Sequence, residues 1–139
     1  MCTSFKVALL NGEMDFSSDT SQSFKIALYT SDATLNAETT AYSTTNETSG
    51  TGYTAGGNTL TIATNPTNDT SGTTAYLDFS DTTWTSSSIT ARGALIYKVG
   101  GTTPSVAVLD FGSDKTSSDS TFTVTFPTSA VTSAIIRIA

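Results

Sequence analysis

The run 91–98, ARGALIYK, constrains this chain more than any other segment. On the two-residue period of a strand it is apolar on both faces, with Leu95 and Tyr97 pointing one way and Ala94 and Ile96 the other. A strand that faces water gives one of those faces to polar side chains, so this one is expected at the centre of a sheet and covered twice. Gly100 and Gly101 then suit the positive φ of a tight connection, and Pro104 sets φ before the return run 105–111, SVAVLDF. With 75–80 upstream, where Leu77 and Phe79 point inward, the stretch 75–111 reads as the middle of an antiparallel β-sandwich.

Other runs extend the same pattern. In 24–30, FKIALYT, Phe24, Ile26 and Leu28 oppose Lys25, Ala27 and Tyr29, as in a half-buried strand. Segment 58–63 is a short strand with Leu60 and Ile62 inward. Segment 120–126, STFTVTF, alternates most cleanly: Phe122, Val124 and Phe126 against Thr121, Thr123 and Thr125, stopped by Pro127. Segment 133–139 closes the chain as a strand paired into a sheet. Polar stretches at 13–23, 43–57, 64–74 and 112–119 read as loops, and 36–42 as a helical turn. The one helix expected lies within about residues 3–12: Thr3 or Ser4 caps it, Phe5, Ala8 and Leu9 share a face, and Gly12 stops it. It either lies on its own sandwich or docks on a neighbouring subunit. The fold class is all-β: one domain, an antiparallel β-sandwich or jelly roll of about seven to eight strands with a short N-terminal helix.

The chemistry is sparse. With no histidine, the usual general base, the usual metal ligand and any Ser-His or Cys-His pair are missing. One cysteine, Cys2, at a terminus expected to fray, makes neither a disulfide nor a metal site. The net charge is −6, and the six basic residues are scattered, so no stripe exists to neutralise nucleic-acid phosphates. No stretch reaches a membrane-spanning length, and MCTSFKVALLNG lacks the basic start and cleavage pattern of a signal peptide. Carboxylates remain: a glycosidase needs two across a cleft, and Asp110, Asp114 and Asp119 are spaced to touch a calcium ion without matching the calcium-loop pattern. If Asp78 and Asp110 face inward they need donors, and Arg92 is the expected partner. No cofactor or metal is expected. Trp84 reads as a core plug, or else with Tyr42 and Tyr53 as a platform for a sugar ring.

The strings FKIALYTSDATLNAETTAYSTTNETSGTGYTAGGNTLT, ITARGALIYK and AVLDFGSDKTSSDSTFTVTFP, with the opening CTSFKVALLNG, resemble small virion structural proteins of tailed bacteriophages. The resemblance covers nearly the whole chain and names no active site. It implies a non-enzymatic particle component, made in the host cytoplasm and present in many copies in the virion. Within that class the expectation is a capsid cement or decoration protein that bridges major capsid protein subunits, as a homo-oligomer on the particle. The alternative is a tail or fibre component that binds a host glycan. Phe5, Val7, Leu9 and Leu10 of the N-terminal segment, Tyr42 and Tyr53 around the 43–57 loop, and Trp84 are the expected partner contacts.

Overall fold

The computed structural model describes residues 1–70, 72–102 and 104–139. Ser71, in the expected 64–74 loop, and Thr103, before Pro104, lie outside the described residues. The element order is α1 (Thr3–Leu10), β1 (Phe24–Tyr29), β2 (Asn58–Leu60), β3 (Ile62–Asn68), β4 (Ala75–Phe79), β5 (Thr82–Ser87), β6 (Thr90–Lys98), β7 (Ser105–Thr116), β8 (Ser120–Val124) and β9 (Ile136–Ile138). The fold is an all-β sandwich. One layer is a four-stranded sheet ordered β2-β1-β6-β7, and the other is made of two smaller sheets, β3-β4-β9 and β5-β8. Every pairing is antiparallel.

β6 sits where its two-sided pattern requires, between β1 and β7. Ile96 pairs with Ile26 and Ala94 with Leu28, and these side chains enter the main core with Val106. Leu77, Phe79 and Ile136 from one small sheet, and Trp84, Phe122 and Val124 from the other, meet them there. The opposite face of β6 carries Leu95 and Tyr97, which join Ala27 and Tyr29 in a second cluster covered by Ala33, Leu35 and Tyr42. This cover makes β1 more than half-buried: all of its residues except Lys25 are inside. Each large apolar side chain taken out of water stabilises the fold by about 1.5–3 kcal/mol, which is why a doubly apolar strand ends at the centre.

Several boundaries differ from the sequence pattern. Segment 58–63 is two strands, since β2 pairs with β1 and β3 with β4, and the chain changes layers at Thr61. β3 runs through Pro66, in the expected 64–74 loop. The proline is tolerated because β3 is an edge strand whose register shifts between Thr64 and Thr67. β7 continues to Thr116 past a bulge at 111–114, where Gly112 has φ +75°, because Lys115 and Thr116 pair with Ala91 and Thr90. β5 raises the strand number to nine among the described residues, its Ser/Thr composition having hidden it. Residues 36–42 hold a turn closed by Thr39 N–H to Asn36 C=O, 3.1 Å, and then a β-bridge from Ala41 to Pro104, not a helix. Segment 13–23 is irregular as expected, yet Met14 and Phe16 plug the core from it, with Phe16 stacked on Phe24 at 4.3 Å.

α1 has the expected bounds but not the expected cap. Its N-cap is Cys2, with no side-chain cap bond. Thr3 N–H instead donates to Ala37 C=O at 2.8 Å, and the Ser4 hydroxyl reaches Thr39 C=O. Segment 37–39 therefore does the work of a local cap. At the other end Glu13 N–H bonds Ala8 C=O and Gly12 N–H bonds Leu9 C=O, a Schellman closure around the positive φ of Gly12. Nor does Cys2 fray: its N–H donates to Val106 C=O, its side chain is fully buried, and burial pushes its thiol pKa up.

Candidate functional site

α1 is two-faced. Phe5, 1% exposed, and Ala8 are set into the core, so Phe5 is not available as a surface contact. Val7 is 55% exposed and Leu10 88%, on a helix whose other face is fixed to its own sandwich. Leu9 is half-buried and borders a mainly apolar groove of about 270 Å³ between α1 and the β3-β4-β9 sheet, with Tyr76, Ile136 and Ile138 on its far wall. Both readings of the N-terminal segment thus have a physical basis: one face packs at home, and the other leaves two large apolar side chains in water, where burying them gives about 1–2 kcal/mol each.

The 43–57 loop is pinned rather than free. Its hub is Glu47, which sequence reasoning did not single out. Glu47 Oε2 accepts the Tyr42 hydroxyl at 2.6 Å, and Oε1 accepts both the Tyr53 hydroxyl and Gly56 N–H at 2.7 Å. The Tyr53 oxygen in turn accepts Leu28 N–H of β1 at 2.9 Å, and Tyr97 donates to Gly56 C=O at 2.9 Å. Tyr42 stacks on Tyr97 with ring centroids 4.6 Å apart. Burial first, and then the bond to the Glu47 carboxylate, push the Tyr42 and Tyr53 phenols far up. Burial pushes Tyr29, which donates to Ser43 C=O, up to about 12. These phenols are fixed donors, not acids. Gly57 closes the loop at φ +67, where a β-carbon would stand 1.8 Å from Ile26 C=O.

The aromatic platform expected for a sugar ring is therefore spent inside the fold. Trp84 is 3% exposed and packs edge-on to Phe122 and beside Tyr53, the core-plug position. Tyr42 and Tyr53 are half-buried and committed to Glu47.

The carboxylates do not converge. Arg92 pairs with Asp110 at 3.3 Å on the surface, and Asp110 is held below the usual carboxylate range first by Gly112 N–H and then by Arg92. Asp78 is 1% exposed and, among the described residues, pairs with no cation; the expected partner, Arg92, goes to Asp110 alone. Its Oδ1 accepts Phe79 N–H and its Oδ2 has no partner. Burial pushes its pKa up, against the smaller opposing effect of nearby backbone N–H groups. Among the described residues no three His, Cys, Asp or Glu side chains gather as a metal site, so Asp110, Asp114 and Asp119 do not form one. Five surface clefts carry at most one carboxylate each: Asp110, Asp15 and Glu13 in three of them and none in the other two. Among the described residues no helix is long and apolar enough to cross a membrane.

Comparison with protein-family models, with curated proteins and with solved structures finds no match to this chain.

Proposed function

We propose that this chain is a structural component of a tailed-bacteriophage particle, a capsid cement or decoration protein that bridges major capsid protein subunits. The resemblance of its strings supplies the class. The observation that carries the contact is the exposed Val7 and Leu10 pair on a helix anchored by Phe5 and Ala8. An apolar patch on a pinned element docks without ordering cost, because the helix is already held. Each contact is worth little, and a lattice of many copies multiplies it by multivalency. The internal use of Trp84, Tyr42 and Tyr53 weighs against the alternative in which these residues bind a host glycan.

The test is to mix purified protein with undecorated heads and to separate bound from free by sedimentation. Wild type co-sediments, and Leu10→Asp lowers its affinity at least tenfold while keeping the native circular-dichroism spectrum. Absence of the protein from purified virions rejects the class. Full binding by Leu10→Asp and Val7→Asp rejects the contact.

A further inference from the structure

The β5-β8 ribbon has one capped edge and one open edge. On the β5 side, Asn58 Nδ2 donates to Thr83 C=O at 2.8 Å and closes the ribbon against β2. On the β8 side two hydrogen bonds fix the backbone directions. Phe126 N–H is spent toward β5 on Asp81 Oδ1 at 2.9 Å, and Ser120 C=O accepts the Ser87 hydroxyl on that same side at 2.9 Å. Strand alternation then sends the amides and carbonyls of Phe122 and Val124 toward β5, and those of Thr121, Thr123 and Thr125 outward. The register agrees, since Thr83, whose carbonyl also points away from the ribbon, stands opposite Thr123. Among the described residues no backbone group answers this outward row.

The other sheet edges are blocked. β3 carries Pro66 and two register shifts. β2 and β9 are three residues long. The start of β7 is covered by the N-terminal segment through Cys2 N–H to Val106 C=O, and its far half carries Asp110, Asp114 and Lys115. These are the devices that keep sheet edges from pairing. Residues 120–126 have none of them: no charge and no proline.

We propose that the β8 edge is a pairing surface for a second copy of this chain, joined antiparallel about a two-fold axis at Thr123. Self-complementarity selects this occupant. The two-fold sets only the uncharged residues of 120–126 against one another, so the contact avoids the repulsion that a chain of charge −6 otherwise meets from its own copy. The two-fold places Thr121 opposite the second copy's Thr125 and Thr123 opposite itself, all threonines whose hydroxyls suit cross-strand pairing. A cleft of about 430 Å³ beside the edge, bordered by Phe111 and Lys115, leaves room for the incoming strand. The result is a continuous β5-β8-β8-β5 sheet with one uncharged threonine face. This pairing is independent of the virion reading and stands or falls in solution.

The test is sedimentation equilibrium of the full chain over a wide concentration range. Wild type is expected to reach twice the 14.4 kDa monomer mass. Thr123→Pro removes one outward N–H without touching the ladder to β5, and Thr123→Lys sets two cations face to face. Each is expected to weaken the dimer at least tenfold while Trp84 fluorescence stays native. Leu10→Lys, on α1, is expected to leave the dimer intact. If Thr123→Pro does not fold, Thr123→Lys decides. A wild type that is monomeric throughout overturns the proposal. So does a dimer that both Thr123 variants keep, or one that dissolves only with Leu10→Lys.

Discussion

Replacing Asp78 with asparagine should stabilise this protein at neutral pH. Asp78 is buried on β4 with one oxygen bonded to Phe79 N–H at 2.9 Å and the other unpartnered. Among the described residues no cation offsets its charge, and Asp81 nearby adds repulsion of the same sign. Its folded pKa is therefore raised above its unfolded value. A raised group contributes its stability fully below the unfolded pKa, near the ordinary carboxylate value, and loses it as pH rises through the folded pKa. At pH 7 the fold carries that loss. Asparagine keeps the acceptor for Phe79 N–H and removes the charge, but leaves an amide in place of the unpartnered oxygen. A buried unsatisfied neutral group costs about 1–3 kcal/mol and a charged one more, so the net gain at pH 7 is about 1–2 kcal/mol. Urea unfolding followed by Trp84, the only tryptophan, measures it in both proteins at pH 7 and pH 3.5. The gain should shrink to zero or reverse at the lower pH, where the wild-type carboxyl is protonated in the fold and mostly protonated in the unfolded chain. A variant no more stable than wild type at pH 7, or an equal gain at both pH values, refutes the reasoning.

Three further outcomes follow from the geometry. Glu47→Ala strands two phenols and the Gly56 N–H, and should cost about 2–4 kcal/mol; hydrogen exchange should rise across 43–57, and unchanged exchange there would show that Glu47 is not the hub. Gly57→Ala sets a β-carbon against Ile26 C=O at a positive φ and should destabilise by about 2 kcal/mol or more, measured by thermal unfolding. The Cys2 thiol, buried and with its pKa pushed up, should resist a thiol reagent in the native protein at pH 8 and react promptly in urea; rapid native labelling would mean that the terminus opens.

The apolar runs of five or more residues were legible as sequence: 91–98, 105–111 and 120–126 each contribute a strand, the first is buried on both faces, and Phe122, Val124 and Phe126 point inward. The φ values of Gly100 and Gly101, +90° and +59°, match the expected turn. β5 was not legible, because a strand written in Thr and Ser carries the same letters as a loop. The continuation of β7 was hidden for a similar reason: Gly112–Ser113–Asp114 spells a turn and does bulge, with Gly112 at φ +75°, and only the pairing of Lys115 and Thr116 with β6 resumes the strand beyond it. At the candidate site, exposed Val7 and Leu10 lay among the expected contacts, while Phe5 and Trp84 went to the core, because size and apolarity suit burial as well as docking.

The amino-acid order alone determined the class of fold, the inward faces of the strands with an apolar pattern and the short helix at the start, because these depend on local period and on residues a few positions apart. The partners were settled only in three dimensions. Arg92 met Asp110 and not Asp78, Glu47 gathered phenols from positions 42 and 53, and the first turn of α1 was capped from 37–39. Hydrogen bonds and ion pairs act over about 3 Å, and which groups come that close is decided by how the sheets stack.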